Sequence, residues 1–233
     1  MTNPICVVAG AGFGNGVAFA AQFRDAGYRV ILLSRSKDKL ADVINEEQDV
    51  FWLPCDLSSE TSINTTFTTI KEQHGEIDCL IYNAGNAVID NIENVVSDVM
   101  EQTWKLNVQG CMLACRHIVE TMVMKGAGNI IIVGATASIK GGAGFLSFAS
   151  AKAAQRSMAQ SMARHLGPKG IHVAYMIIDG VIDSPLIRQF FPDKAAEFFL
   201  QPADVAQCAL SLTVQAKSGW SFEVDLRPAL EKW

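Results

Sequence analysis

The chain has 233 residues, of which 49% are hydrophobic and 18% charged, so it can bury the core of one large α/β domain and is not expected to be disordered. Its formal net charge is −5, and it has no basic run of the kind that follows a phosphate backbone, so nucleic acid is not an expected partner. No apolar stretch reaches the roughly 20 residues of a membrane-spanning helix, so no membrane partner is expected.

Short apolar runs alternate along the chain with longer helical patterns, which is typical of βαβ units around a parallel sheet. In chain order the predicted strands are Ile5–Ala9, Arg29–Leu33, Val50–Leu53, Cys79–Tyr82, Asn129–Val133, Ile171–Ile178 and Ser221–Val224. The predicted helices are Val17–Ala26, Lys37–Glu47, Ser59–His74, Val99–Lys125, Phe148–Leu166 and Pro202–Gln215. The strands are almost continuously apolar, as in sheets covered by helices on both faces. We therefore predict a single-domain α/β Rossmann fold over residues 1–233, with a doubly wound, mostly parallel seven-stranded sheet.

The segment from Ser184 to Leu200 is less regular than the rest of the chain. It contains two prolines and the aromatic pairs Phe190-Phe191 and Phe198-Phe199. Such a segment either packs into the core or an interface, or covers a substrate pocket as a mobile lid. We keep both readings open and place the candidate lid at residues 184–200.

The N-terminal residues Met1-Thr2-Asn3-Pro4 lack the basic start of a signal peptide, which favours a cytoplasmic location. The six cysteines are scattered without a C-x-x-C pair, as is typical of reduced structural thiols. Cys111 and Cys115 share a predicted helix with His117, but His117 points to another side of it. We therefore expect no metal site.

A glycine-rich segment joins the first predicted strand directly to a helix. It reads Ala9-Gly10-Ala11-Gly12-Phe13-Gly14-Asn15-Gly16. Glycines at such a turn let the backbone approach a pyrophosphate, and the N–H groups of the helix start favour its negative charge. An ordinary turn is the alternative, but the position between strand and helix favours a dinucleotide. The candidate contacts are Gly10, Gly12, Phe13, Gly14, Asn15 and Gly16.

The second predicted strand ends in Ser34-Arg35-Ser36-Lys37, where an NAD-specific site usually has an acidic residue. Arg35 instead offers a planar, permanently charged group that suits a 2′-phosphate. A solvated arginine before a helix is the alternative. We expect NADP(H) to be favoured over NAD(H).

These and other motifs resemble the short-chain dehydrogenase/reductase family over essentially the whole chain. The glycine segment is similar to the family's T-G-x-x-x-G-x-G, and Tyr82-Asn83-Ala84-Gly85 is similar to N-N-A-G. Asp56-Leu57 looks like the pair that contacts adenine, and Asp179-Gly180 followed by Ser184 resembles the stretch at the nicotinamide end. The further cofactor contacts implied by this resemblance are Asp56, Leu57, Asn83, Ala84, Gly85, Lys152, Gly180, Ile182 and Ser184.

The family's active site is a tetrad of Asn, Ser, Tyr and Lys. Tyr exchanges the proton at the substrate oxygen, and Lys lowers the Tyr pKa and holds the ribose. Their Y-x-x-x-K spacing puts both on one helix face, but this chain reads Phe148-Ala149-Ser150-Ala151-Lys152. The resemblance thus implies catalytic roles for Lys152 and for Asn107, which matches the family's Asn, and places Phe148 where Tyr is expected.

The Ser of the tetrad aligns near Ala135, so the closest hydroxyls are those of Thr136 and Ser138. A small loop shift could bring either into the site, and Ser138 is our third catalytic candidate. Phenylalanine has no dissociable proton and cannot act as a general acid or base, a loss that typically costs 10²–10⁴ in rate.

Three functions fit these observations. The first is an NADP(H)-dependent oxidoreductase of unknown small-molecule substrate, whose proton comes from water, Lys152, Ser138 or the substrate. The second is a degenerate NADP(H)-binding module or regulatory subunit, and the third is an oligomer member that the nucleotide only stabilises. The cofactor motifs extend to the nicotinamide end, which favours the first.

The resemblance also implies a homodimer or homotetramer. Its contact is expected on the helices around Gln109 and Met158, where Met122 and Met162 would also suit such a surface. Ordinary core packing is the alternative for these methionines.

Overall fold

The computed structural model describes residues 3–38 and 40–231, so the domain predicted over 1–233 includes positions outside the described residues. The strands are β1 (Ile5–Ala9), β2 (Arg29–Ser34), β3 (Val50–Pro54), β4 (Cys79–Tyr82), β5 (Gly128–Val133), β6 (Ile171–Ile178), β7 (Val181–Ile182), β8 (Phe199–Leu200) and β9 (Glu223–Leu226). The α-helices are α1 (Asn15–Asp25), α2 (Glu60–Gln73), α3 (Ser97–Trp104), α4 (Gly110–Lys125), α5 (Leu146–Leu166), α6 (Pro185–Phe190) and α7 (Pro202–Thr213). Within these described residues, every helix is too short or too polar to span a bilayer.

Seven strands form one sheet in the order β3-β2-β1-β4-β5-β6-β9, and all neighbouring strands are parallel. This confirms the predicted doubly wound α/β fold. The last strand begins at Glu223, two residues later than predicted, and β7 and β8 form a separate parallel pair that was not predicted.

Two hydrophobic clusters cover the two faces of the sheet. Because successive strand residues point to opposite faces, Val7 of β1 packs in the cluster that contains Phe67 of α2. Its neighbour Val8 packs in the cluster that contains Phe19 of α1 and Val205 of α7. Met122 is fully buried in the first cluster, so the expectation that it lies on an oligomer surface is wrong.

The helix predicted over Lys37–Glu47 is wrong. The described part of that range contains turns, and a short 3₁₀ helix starts only at Glu46. The Ser36 hydroxyl donates to the Asp38 carboxylate at 2.7 Å and accepts from the Asp38 N–H at 3.1 Å. Such local side-chain bonds compete with helix formation.

The helix predicted over Val99–Lys125 is interrupted by a π-helical turn at Lys105–Gln109, between α3 and α4. In this turn the Gly110 N–H bonds to the Lys105 carbonyl, five residues earlier. π-turns inside α-helices are frequent at functional sites, and this one carries the candidate residue Asn107.

The candidate lid is held at its base by the pairing of β7 with β8. The Asp183 N–H donates to the Leu200 carbonyl at 3.0 Å, and Arg188 of α6 forms a bidentate ion pair with Asp183. Phe199 is buried in this pairing, whereas Phe190 is 71% exposed. The segment thus has a packed base and an exposed helix.

Candidate functional site

The glycine turn after β1 allows a close approach of backbone to backbone. Gly10 has φ +90°, and a Cβ built on it would lie 2.5 Å from the Cα of Ala84 after β4. Gly14 also has a left-handed φ, +78°, which favours glycine. By contrast, a Cβ built on Gly12 meets no atom within 4 Å. The Gly12 backbone is therefore open to the cleft that it lines.

That cleft has a volume of about 760 Å³ and lies at the carboxyl ends of β1 to β4. The predicted contacts that line it are Gly10, Gly12, Phe13, Arg35, Asp56, Leu57, Asn83, Ala84 and Gly85. Those that do not are Gly14, Asn15, Gly16, Lys152, Gly180, Ile182 and Ser184. Sequence reasoning missed Ala11, Ser34, Ser36, Asp38, Cys55, Ser58, Asn86, Gln102 and Leu106. Most of these residues closely follow a strand, and that position could have identified them from the sequence. Gln102 lies in α3 and Leu106 just after it, and no sequence signal marks either residue.

Two asparagines join the segment that follows β1 to the segment that follows β4. The Asn83 side chain donates to the Gly10 carbonyl at 2.8 Å and accepts from the Asn15 amide at 3.5 Å. The Asn15 Oδ1 is buried and has no hydrogen-bond partner within the described residues. A Cβ on the next residue, Gly16, would lie 2.8 Å from the Ala11 Cα, so only glycine lets α1 pack this close.

Charged groups gather at the β2–β3 end of the cleft. The hydroxyl and N–H of Ser58 donate to the Asp56 carboxylate, and with the nearby positive charge of Arg35 they lower the pKa of Asp56. Arg35 is exposed and lines the cleft. Asp38 lines the same end of the cleft, three residues after Arg35.

The two catalytic candidates Lys152 and Asn107 meet at Gly85. A Cβ built on Gly85 would lie 3.1 Å from the Asn107 Oδ1 and 3.4 Å from the Lys152 Nζ. The Asn107 amide donates to Asn86 Oδ1 and to the Thr103 carbonyl, both at 2.9 Å. Its Oδ1 is buried and, in the described part of the chain, accepts no hydrogen bond.

Lys152 is 4% exposed, and its ammonium donates to the Val133 carbonyl at 2.9 Å and to Gln155 Oε1 at 3.0 Å. No ion pair to Lys152 is found within residues 3–38 and 40–231. Burial therefore lowers its pKa from 10.5 to about 8.

The third catalytic candidate, Ser138, lies beside the hydroxyl of Tyr175. Its hydroxyl donates to the Ala135 carbonyl at 2.6 Å. Ser138 also lines a separate groove of about 540 Å³ beside the exposed face of α5. The Thr136 hydroxyl donates to the Asp179 carboxylate at 2.5 Å, and Arg227 pairs with that carboxylate at 3.0 Å.

The half-buried Phe148 ring lies one turn before Lys152, with its centroid 6.5 Å from that of Phe145.

The residues predicted for the far end of the site follow β6. The Ile182 side chain lies against Gly14, with its Cγ2 3.3 Å from a Cβ built on that glycine. Ser184 caps α6, because its hydroxyl accepts from the Ile187 N–H. Gly180 has no room for a side chain, since a built Cβ lies 2.6 Å from Pro228.

One backbone contact joins the two ends of this site. A Cβ built on Gly110, the first residue of α4, would lie 2.0 Å from the Leu57 carbonyl oxygen. The hydroxyl of Tyr82 lies beside the same glycine and donates to the Leu106 carbonyl at 2.6 Å. The helix that carries Asn107 therefore rests directly on the loop after β3.

Comparison with known proteins finds a match to the family model described as short chain dehydrogenase over residues 4–195. A solved structure of a short-chain dehydrogenase from Rhodopseudomonas palustris is 32% identical. It covers 97% of this chain and 99% of its own, with a TM-score of 0.82. An uncharacterised oxidoreductase of Staphylococcus aureus strain MRSA252 is 25% identical over 98% of both chains. An NAD-dependent glycerol dehydrogenase of Listeria innocua is 29% identical over 94% of this chain and 89% of its own.

Proposed function

This chain belongs to the short-chain dehydrogenase family, and from that premise we propose that it is an NADP(H)-dependent oxidoreductase that uses Lys152, not a tyrosine, as its proton donor. The observation that carries this proposal is the meeting of Lys152 Nζ and Asn107 Oδ1 at Gly85, on the edge of the cleft.

The residues of the cleft fit a dinucleotide. The open backbone face of Gly12 provides room for a pyrophosphate. The Oδ1 atoms of Asn15 and Asn107, which do not line the cleft, are buried and accept no hydrogen bond within the described residues, so each keeps a free acceptor. When bound, the cofactor supplies or accepts a hydride. The residues of this chain bind it, orient it and handle the proton.

Arg35 supports a preference for the phosphorylated cofactor. Its exposed guanidinium can form charge-assisted hydrogen bonds to a 2′-phosphate. The name of the Listeria relative points the other way, to NAD, and Asp38 also lines this end of the cleft. We propose that Arg35 outweighs Asp38, because its guanidinium offers several donors to a 2′-phosphate, whereas the Ser36 hydroxyl already occupies part of the Asp38 carboxylate.

Lys152 has the properties of a general acid. Its pKa of about 8 lies close to neutral pH, where a proton donor is both charged and able to release its proton. As a substrate carbon accepts a hydride, the adjacent oxygen or nitrogen gains negative charge and takes a proton from Nζ. The resulting neutral amine then regains a proton from water.

The test is a screen of NADPH oxidation with aldehydes, ketones, imines and activated alkenes. Lys152→Arg keeps the positive charge but holds its proton too tightly to donate it. We expect turnover to fall at least about 100-fold in this variant, with NADPH binding retained. Lys152→Met is expected to lose both turnover and binding strength.

Undiminished turnover in Lys152→Arg would show that Lys152 is not the proton donor. Tight NADPH binding by the natural protein without turnover on any compound would favour the binding-module function instead.

A further inference from the structure

Gln155 lies on α5 almost one turn after Lys152 and is fully buried. Its Oε1 accepts from the Lys152 ammonium at 3.0 Å, and its Nε2 donates to the backbone carbonyl of Asn107 at 2.6 Å. A single side chain therefore links the two candidate catalytic residues.

Only a group with both a donor and an acceptor can make this link. An ammonium can only donate and a carbonyl can only accept, so the amide has one allowed orientation. An apolar side chain of the same length would remove the hydrogen bond to the Asn107 carbonyl and one of the two acceptors of the ammonium.

Tyr175 also contacts the Gln155 side chain. Its hydroxyl lies 3.4 Å from Gln155 Oε1 and 3.3 Å from the Lys152 carbonyl. Its ring lies so close to Gly134 that a Cβ built there would be 2.2 Å from it. Burial raises the pKa of Tyr175, so its hydroxyl keeps its proton and acts as a fixed donor.

An ammonium has three N–H groups, and Val133 and Gln155 take two of those on Lys152. The third N–H is left to point toward Gly85, and the Asn107 Oδ1 lies against the same glycine. We propose that Gln155 is a positioning residue, whose hydrogen bond holds the Lys152 ammonium so that the remaining N–H points to the cleft. Because the Gln155 acceptor is neutral and not a carboxylate, the ammonium can still release its proton. The inference rests on the proposed role of Lys152.

The first test needs no cofactor. Lysine labelled with ¹³C at Cε is titrated by NMR in the full-length protein, and Lys152→Arg identifies the signal of Lys152. In Gln155→Glu the new carboxylate should raise the titration midpoint of Lys152 by about 1–3 pH units, as a close opposite charge does. Tyr175→Phe, which leaves the hydrogen bonds of Gln155 to Lys152 and Asn107 in place, should shift it by much less. An unchanged midpoint in a folded Gln155→Glu protein overturns the proposal.

The second test measures NADPH affinity. Gln155→Met should weaken binding roughly threefold to tenfold at pH 7, the loss expected from one misdirected hydrogen bond. Gln155→Glu should approach the affinity of the natural protein at acid pH, because a protonated carboxyl has both a donor and an acceptor. Natural affinity in Gln155→Met contradicts the positioning role.

If the natural protein itself does not bind NADPH, the proposed function fails, and the NMR titration still decides whether Gln155 controls Lys152. If Gln155→Met does not fold, the Glu variant decides both tests.

Discussion

Asp90 caps α5 from outside the helix: its carboxylate accepts both the backbone N–H and the hydroxyl of Ser147, in the first turn. Both side chains are buried. The backbone of Asp90 bonds to Gly144 and Leu146 on either side of the helix start. One residue of the loop after β4 thus fixes where the helix that carries Phe148 and Lys152 begins.

Replacing Asp90 with Ala should lower the free energy of unfolding by about 1–3 kcal/mol, because it leaves the buried N–H and hydroxyl of Ser147 unpaired. Urea unfolding followed by circular dichroism measures this loss. Ser150→Ala is the matched control, since its hydroxyl donates to the Ser147 carbonyl from an exposed position. It should change stability by less than about 0.5 kcal/mol. Equal losses in both variants would show that the cap contributes nothing specific.

Arg35→Ala should reduce the preference for NADPH over NADH by about 1.5–3 kcal/mol, the value of hydrogen bonds to a charged group. Calorimetric titration of both cofactors gives the preference directly. Lys37→Ala removes an exposed positive charge two residues away that does not line the cleft, and it should leave the preference nearly unchanged. Stronger binding of NADH than of NADPH by the natural protein would refute the assignment.

The depressed pKa of Lys152 predicts a specific pH dependence of stability. In the unfolded chain this lysine binds its proton up to about pH 10.4, whereas in the folded protein it begins to lose it near pH 8. Between these values the unfolded state binds more protons, so stability from this group rises with pH. Its buried charge is most unfavourable below pH 8.

Relative to Lys152→Met, the natural protein should therefore gain up to about 3 kcal/mol of unfolding free energy between pH 8 and pH 10.5. Unfolding curves of the two proteins at matched pH values measure this difference. A constant difference would mean that the lysine is not buried as described.

Phe148→Tyr should place a hydroxyl on the α5 face of Lys152, one turn away. The ammonium would favour the phenolate and lower its pKa, so small carbonyl compounds should be reduced faster with NADPH. Ala135→Ser is the second change, and the two should be non-additive if both act on one oxygen. NADPH oxidation by the natural, single and double variants tests this. A natural protein that is already faster than Phe148→Tyr would support a route without tyrosine.

We expect two or four chains in solution, with the contact on the helices around Gln109 and Met158. Light scattering tests this directly. Met112 of α4 is exposed, and Met112→Lys should shift the protein to a smaller species. Met124→Lys, on another side of the same helix, is the control and should not. A monomeric natural protein at micromolar concentration would rule out this interface.

The main sheet was predictable because each strand is a nearly continuous apolar run between helical patterns. The glycine turn was predictable because its position between strand and helix restricts what it can do. The helix expected at Lys37–Glu47 failed because hydrogen bonds between Ser36 and Asp38 compete with helix formation. A helical periodicity alone does not reveal that competition.

The parts of the site that were not predicted depend on contacts that have no sequence motif. Gln155 has no motif, since its meaning depends on Asn107, which is 48 positions away. The π-turn likewise has no recognisable pattern of its own. The spacing from Phe148 along the chain likewise does not reveal that the Ser138 hydroxyl donates to the Ala135 carbonyl within its own turn.

The contact of Gly110 with the Leu57 carbonyl has a consequence for how this cleft can diversify. The distance between the two ends of the cleft is set by the contact of the Gly110 backbone with the Leu57 backbone, so it does not depend on the side chains that line the cleft. Exchanges at Arg35 or Asp38 can therefore change what is recognised at one end of the cleft without changing the distance to the other end. A methyl group added at position 110 would act as a wedge and disturb both ends at once.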